Sequence, residues 1–109
     1  MTYEEIKTMI ESVGPPVAYY QFEERSRQQP PFITYYYGQS DDMMADNINY
    51  VPIRPLTIEL YTERKDFALE ATTEGVLTAN GLAYVKEEIY IESERMQMVT
   101  YNTEVLING

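Results

Sequence analysis

The stretch Glu94-Arg95-Met96-Gln97-Met98-Val99-Thr100-Tyr101-Asn102-Thr103-Glu104-Val105-Leu106-Ile107 decides the fold. Val99, Tyr101, Thr103 and Val105 fall on one side of a period-two pattern, and Met98, Thr100, Asn102 and Glu104 fall on the other. Successive side chains of a strand point to opposite faces, so this run reads as a long strand with one buried face. Upstream, Leu56, Ile58 and Leu60 alternate with Thr57, Glu59 and Tyr61 in a strand expected over residues 49–64. Pro52 and Pro55 cannot donate ladder bonds, so the first half of that segment belongs at a sheet edge or outside the sheet. Glu88 to Ile91 reads as a short strand, and Leu82 to Tyr84 has no decisive period.

Two helices punctuate these strands. Thr2 and Glu5 form a Thr-x-x-Glu capping box, and Tyr3, Ile6, Ile10 and Val13, widened by Met9, give one apolar face. Gly14 stops this helix and Pro15-Pro16 forbids its continuation. Asp66 caps a second helix over residues 67–80, with Leu69, Val76 and Leu77 facing inward and Asn80-Gly81 ending it. Residues 17–22 and 32–37 read as strands joined through a polar segment, and are expected to form a hairpin with a long charged tip. Residues 38–47 form a loop of small and acidic residues. The order is therefore α-β-β-β-α-β-β. It predicts an α+β domain over residues 1–109, with an antiparallel sheet of about four to five strands and both helices packed on one face.

Composition narrows the chemistry. The 109 residues include no cysteine and no histidine. That removes disulfides, thiolate metal sites, the cysteine nucleophile and the commonest general base. Net charge is −10, from 18 acidic and 8 basic residues. A phosphate backbone repels such a chain unless its bases cluster, so sequence-specific nucleic-acid binding is not expected. The longest apolar runs are too short to span a bilayer. Met1-Thr2-Tyr3-Glu4-Glu5 lacks the basic and apolar blocks of a secretory signal, so the chain is expected in the cytoplasm of the cell that makes it, with no membrane partner. Asp41, Asp42 and Asp46 do not follow the calcium-loop spacing and read as a solvated loop. Glu87, Glu88, Glu92 and Glu94 invite a paired-carboxylate reading, but among 18 acids such neighbours arise by chance. No catalytic residue, metal or cofactor is assigned. Eleven tyrosines without a tryptophan suit half-buried strands and interfaces.

Three features share an order and spacing with a known family. They are the opening helix ending in Gly14-Pro15-Pro16-Val17-Ala18-Tyr19, the run Leu56-Thr57-Ile58-Glu59-Leu60-Tyr61-Thr62 leading into Arg64-Lys65-Asp66, and Tyr90-Ile91-Glu92-Ser93-Glu94-Arg95-Met96 before the last strand. Together they resemble the tail-completion proteins (tail terminators, tail-to-head joining proteins) of long-tailed bacteriophages and related prophages. The resemblance implies structural work without catalysis. Such a protein forms a ring, typically a hexamer, on the head-proximal end of the tail tube. It stops tube growth and offers a surface to the head-neck connector proteins. The expected partners are then copies of the chain itself, the tail tube protein and the neck, and the expected location is the virion.

A closed ring of identical copies needs one patch to meet a different patch on its neighbour. Arg25 and Arg27, on the segment between Phe22 and Phe32, are opposite in charge to Asp41, Asp42 and Asp46 and form a candidate pair of patches. Tyr35, Tyr37 or Tyr61 supply a candidate tyrosine face. Two other readings stay open at this point: a head-completion or minor capsid component of the neck, and a non-viral monomeric adaptor binding through a tyrosine-rich sheet edge.

Overall fold

A computed structural model describes residues 1–22, 28–39, 43–45, 49–51 and 53–108. Helix α1 (Tyr3–Glu11) begins at the capping box: Thr2 Oγ1 accepts from the Glu5 amide at 3.1 Å, and the Glu5 carboxylate accepts from the Thr2 amide at 2.8 Å. Gly14 then takes φ +127, a backbone conformation that side chains with a Cβ rarely adopt, and the chain turns into β1 (Val17–Tyr19). The remaining elements are β2 (Phe32–Tyr37), β3 (Met43–Ala45), β4 (Asn49–Val51), β5 (Ile53–Thr62), α2 (Phe67–Ala79), β6 (Tyr84–Ile91) and β7 (Met96–Leu106).

The five-stranded sheet runs β1-β2-β5-β7-β6, with β3 and β4 as a separate two-stranded ribbon. The α+β class and the order of helices and strands agree with the sequence reading. The strand expected over residues 49–64 is divided into β4 and β5, and β6 starts earlier than expected, at Tyr84. Three of the pairings, β2–β5, β5–β7 and β6–β7, are antiparallel, but β1 lies parallel to β2, with Val17 beside Ile33 and Tyr19 beside Tyr35. The expected β1–β2 hairpin is therefore corrected to a crossover. Period-two alternation is the same for either strand direction, and residues 20–31 are long enough to return the chain to the same end of the sheet.

Both helices pack on one face. In successive rows across the sheet, Ile33 lies beside Leu60 and Leu60 beside Val99, then Tyr35 beside Ile58 and Ile58 beside Tyr101. All six are buried, together with Leu56, Val105, Leu77 and the α1 residues Ile6, Met9 and Ile10. Removing such a side chain forfeits its transfer energy and leaves a cavity, at about 2–5 kcal/mol for a large aliphatic residue cut to alanine.

Pro55 sits inside β5, beside the end of β2. Gly38 donates its amide to the Pro55 carbonyl at 2.9 Å, but the proline has no N–H to return. Arg54 fills that gap: its Nε and Nη2 donate to the Gly38 carbonyl at 3.2 and 2.9 Å. A side chain at Gly38 would crowd the proline, since a Cβ there lies 3.1 Å from the Pro55 Cβ. Pro55 thus marks where β2 pairing stops, while β5 continues against β7 on its other side, inside the sheet and not at its edge; Pro52 lies outside the described residues.

Where α2 meets β6 the core turns ionic. The buried α2 residues are Glu70, Thr73 and Leu77, whereas Leu69 and Val76 are only half-buried, which explains the loose apolar period of this helix. Glu70 Oε1 accepts from Lys86 at 2.8 Å and Lys65 at 2.9 Å. Lys86 also bonds Glu74 at 2.8 Å, Tyr101 donates its hydroxyl to Glu74 at 2.8 Å, and Lys65 reaches Glu88. Bonds from Glu70 and Glu74 push the Lys86 ammonium upward, and bonds to Glu88 and Glu70 do the same for Lys65. Burial opposes ionisation of Glu74, but Lys86 and Tyr101 leave its carboxyl below the ordinary value, and Lys65 lowers Glu88.

Three predictions follow from this packing. Lys86→Met strips a partner from buried Glu70. It should destabilise the fold by about 1–3 kcal/mol in urea melts, less than the ~3–5 of a fully buried pair because Lys86 is partly exposed and Lys65 remains. Arg54→Ala should cost about 1–2 kcal/mol in the same assay by leaving the Gly38 carbonyl without its donor. The third concerns pH. Burial is the main cause raising Tyr35, Tyr37 and Tyr101, and it pushes Tyr61 up to about 12. Raised folded values give stability that is complete below the ordinary tyrosine value of 10.0 and is lost as pH climbs through the folded values. The lowered Glu74 and Glu88 give the acid limb: their contribution is complete above 4.5 and is lost as pH falls through the folded values. An ultraviolet titration followed by circular dichroism should show Tyr35, Tyr37, Tyr61 and Tyr101 ionising only with unfolding. A single step near the ordinary value with the fold intact would contradict this.

Candidate interaction surfaces

The titratable groups that gather in the described residues are those of the ionic cluster between α2 and β6. No group of three or more His, Cys, Asp and Glu among the described residues is placed to hold a metal ion, and no helix is long and apolar enough to cross a membrane. Glu87 and Glu88 point to opposite faces of β6, because adjacent strand residues must. Glu88 is held low by Lys65, the reverse of what a proton donor needs. The surfaces worth attention are the sheet's edges and its open face.

The β1 edge carries a tyrosine cluster. Tyr19 stands edge-on to Tyr35, with centroids 5.2 Å apart, and lies 5.9 Å from Tyr37. Tyr3, from α1, meets Tyr37 edge-on at 5.0 Å. Such pairs contribute about 0.5–1.5 kcal/mol beyond the area they bury. Arg54 joins them: its guanidinium lies 5.3 Å above the Tyr37 ring and donates to the Tyr3 hydroxyl at 2.9 Å. Lys7 and Glu4 line the same groove. Tyr35 is buried and Tyr37 half-buried, so they form its inner wall, while Tyr3, Tyr19 and Tyr20 are the rings exposed to solvent.

Tyr61 is elsewhere. It lies on the sheet face opposite the helices, stacked on Phe32 with centroids 4.6 Å apart. Ile89 lies beside Met98, Met98 beside Tyr61, and Tyr61 beside Phe32, so one apolar row crosses four strands of that face. Phe22 extends it, edge-on to Phe32 at 5.5 Å. The next row is polar, and Thr34 donates its hydroxyl to Glu59 at 2.9 Å. The structure thus brings Tyr35 and Tyr37 together and puts Tyr61 on the other side. Arg25, Arg27, Asp41, Asp42 and Asp46 lie outside the described residues.

Sequence reasoning passed over the far edge of the sheet. Among the described residues strand β6 pairs only with β7, and Val85, Ile89 and Tyr90 on it are exposed. The signal was present in the alternation of Tyr84-Val85-Lys86-Glu87-Glu88-Ile89-Tyr90-Ile91, but three consecutive charges mask it.

Comparison with known proteins finds no matching family model and no matching curated protein. Among solved structures, this fold is similar to a chain described as "Virion of native gene transfer agent (GTA) particle". The TM-score is 0.62 at 13% identity, and the match covers 98% of this chain and 91% of the other. At that identity the likeness is one of fold.

Proposed function

We propose that this chain is a structural subunit of a phage-like virion, and that copies of it form the ring that ends a tail tube and joins it to the head. The observation that carries the reading is the fold likeness to a gene transfer agent virion chain over nearly the full length of both chains. The sequence resemblance to tail-completion proteins supports the finer assignment to the head-proximal end of the tail. The surfaces are consistent with it: two sheet edges and one sheet face offer aromatic and apolar side chains. An acidic chain at −10 also suits a passage for DNA, since it repels phosphate along the lumen.

The partners in this reading are further copies of the chain, the tail tube protein and the neck connectors, and the work is done by geometry. Polymerisation ends because the ring offers the tube no further copy of the surface on which subunits add. Electron microscopy of lysates from particles lacking the chain is the test. Overlong or headless tails are the expected outcome. Normal virions would remove the assignment, and filled heads that leak DNA would move it to head completion.

A further inference from the structure

We propose that Asn80 is a modification site, a centre of spontaneous deamidation that the cap of α2 holds closed and that opens when the last helical turn frays. The proposal is independent of the virion reading. In Asn80-Gly81 the second residue has no side chain to hinder attack of its amide nitrogen on the asparagine side-chain carbonyl. Of the other asparagines, Asn108 alone also precedes a glycine, and Gly109 lies outside the described residues. Asn80 is exposed, so water and base reach it.

The fold engages both reacting groups. Gly81 takes φ +73, its amide donates to the Thr78 carbonyl at 3.0 Å, and the Leu82 amide donates to the Leu77 carbonyl at 3.0 Å. These bonds are the paired helix closure that a left-handed glycine permits. The Asn80 side chain turns back along the helix, where its Nδ2 donates to the Val76 carbonyl at 2.8 Å. Nucleophile and leaving group are therefore both tied to the last carbonyls of α2. Reaction requires that these bonds break first, and two bonds of ordinary strength slow it about tenfold or more.

Once the turn opens, the step needs only water. Base removes the Gly81 amide proton, the nitrogen attacks Cγ of Asn80, and the Cγ–Nδ2 bond breaks as the leaving nitrogen takes up a proton and departs as ammonia. Water then adds to either carbonyl of the cyclic imide. The ring opens to aspartate, or to isoaspartate, in which the backbone continues through the former side chain.

Either product unseats the end of α2. A carboxylate cannot donate to Val76, and it sets a negative charge where the helix carbonyls already point, with no basic residue in the last turn. Asn80 also shares a groove with Glu4 and Glu5 of α1, so the new charge meets acids there. The Met1 ammonium at that groove is already bonded to Leu106 and Asn108. Isoaspartate further lengthens the backbone between Leu77, which is buried, and Leu82, which packs against the core, and so disturbs the path into β6.

Peptide mapping by mass spectrometry, with isoaspartyl methyltransferase labelling, reads conversion at each asparagine of the native chain at mildly alkaline pH, folded and in urea. In urea Asn80 should outpace Asn102, which precedes Thr103. In the folded chain Asn80 should convert about tenfold more slowly, or slower still, than in urea. Leu82→Ala weakens the closure without altering the reacting pair and should speed conversion in the folded chain. Asn80→Asp should melt below both the native chain and Asn80→Ala, which loses the cap bond but gains no charge. Failure of Asn80 to outpace Asn102 in urea would overturn the site. Equal rates in the folded and unfolded chain would overturn the closure, and an Asn80→Asp variant that melts with the native chain would overturn the consequence for α2.

Discussion

The pairing of β5 with β7 is the constraint on which the rest of the structure depends. These are the longest strands, and their register runs from Ile53 beside Leu106 to Thr62 beside Gln97. A slip of one residue would turn Leu56, Ile58 and Leu60 to the open face and bring Thr57, Glu59 and Tyr61 beneath the helices. Held in register, the pair defines an apolar floor for α1, a place for β2 on one side and a place for β6 on the other. Each edge of the sheet inherits its position from that central ladder.

Across this floor the chemistry changes from one side to the other. Under α1 the burial is aliphatic and aromatic, and its contribution scales with the apolar area removed from water. Under α2 it is shared with a charged cluster around Glu70, held between Lys65 and Lys86. Buried ion pairs lose in desolvation much of what attraction returns, so this cluster adds little net stability beside a well-packed apolar substitute. Its effect is positional. Lys86 on β6 fits only where both Glu70 and Glu74 face it, which fixes how α2 lies over the last two strands. The same arrangement turns the charges of Lys86 and Glu88 inward and leaves Val85, Glu87 and Ile89 on the opposite side of the strand.

The tyrosines divide into three kinds of work. Tyr101 is a core residue whose hydroxyl finds Glu74. Tyr35 and Tyr37 line the inside of the β1 groove, and Tyr61 braces the open face against Phe32. Tyr3, Tyr19 and Tyr20 keep their rings exposed to solvent. A ring with an apolar body and a polar tip can serve in each setting, which is why composition pointed at interfaces without saying which tyrosines belong there.

The sequence by itself determined the features that depend on near neighbours along the chain. The Thr2–Glu5 box, the stop at Gly14-Pro15-Pro16 and the buried faces of β5 and β7 are local, and each was legible because a helix or strand repeats within a few residues. Pro55 showed that a ladder bond was missing; that Arg54 supplies it at Gly38 appears only when β2 and β5 lie side by side. Tertiary structure alone decided the direction of β1, the side of the sheet that holds Tyr61, the burial of Glu70 and the exposure of the β6 edge. Strand alternation is blind to direction, and the partner of a charge or a ring is chosen by distant residues. The sequence could name the side chains that would meet something, and the packed sheet chose what they meet.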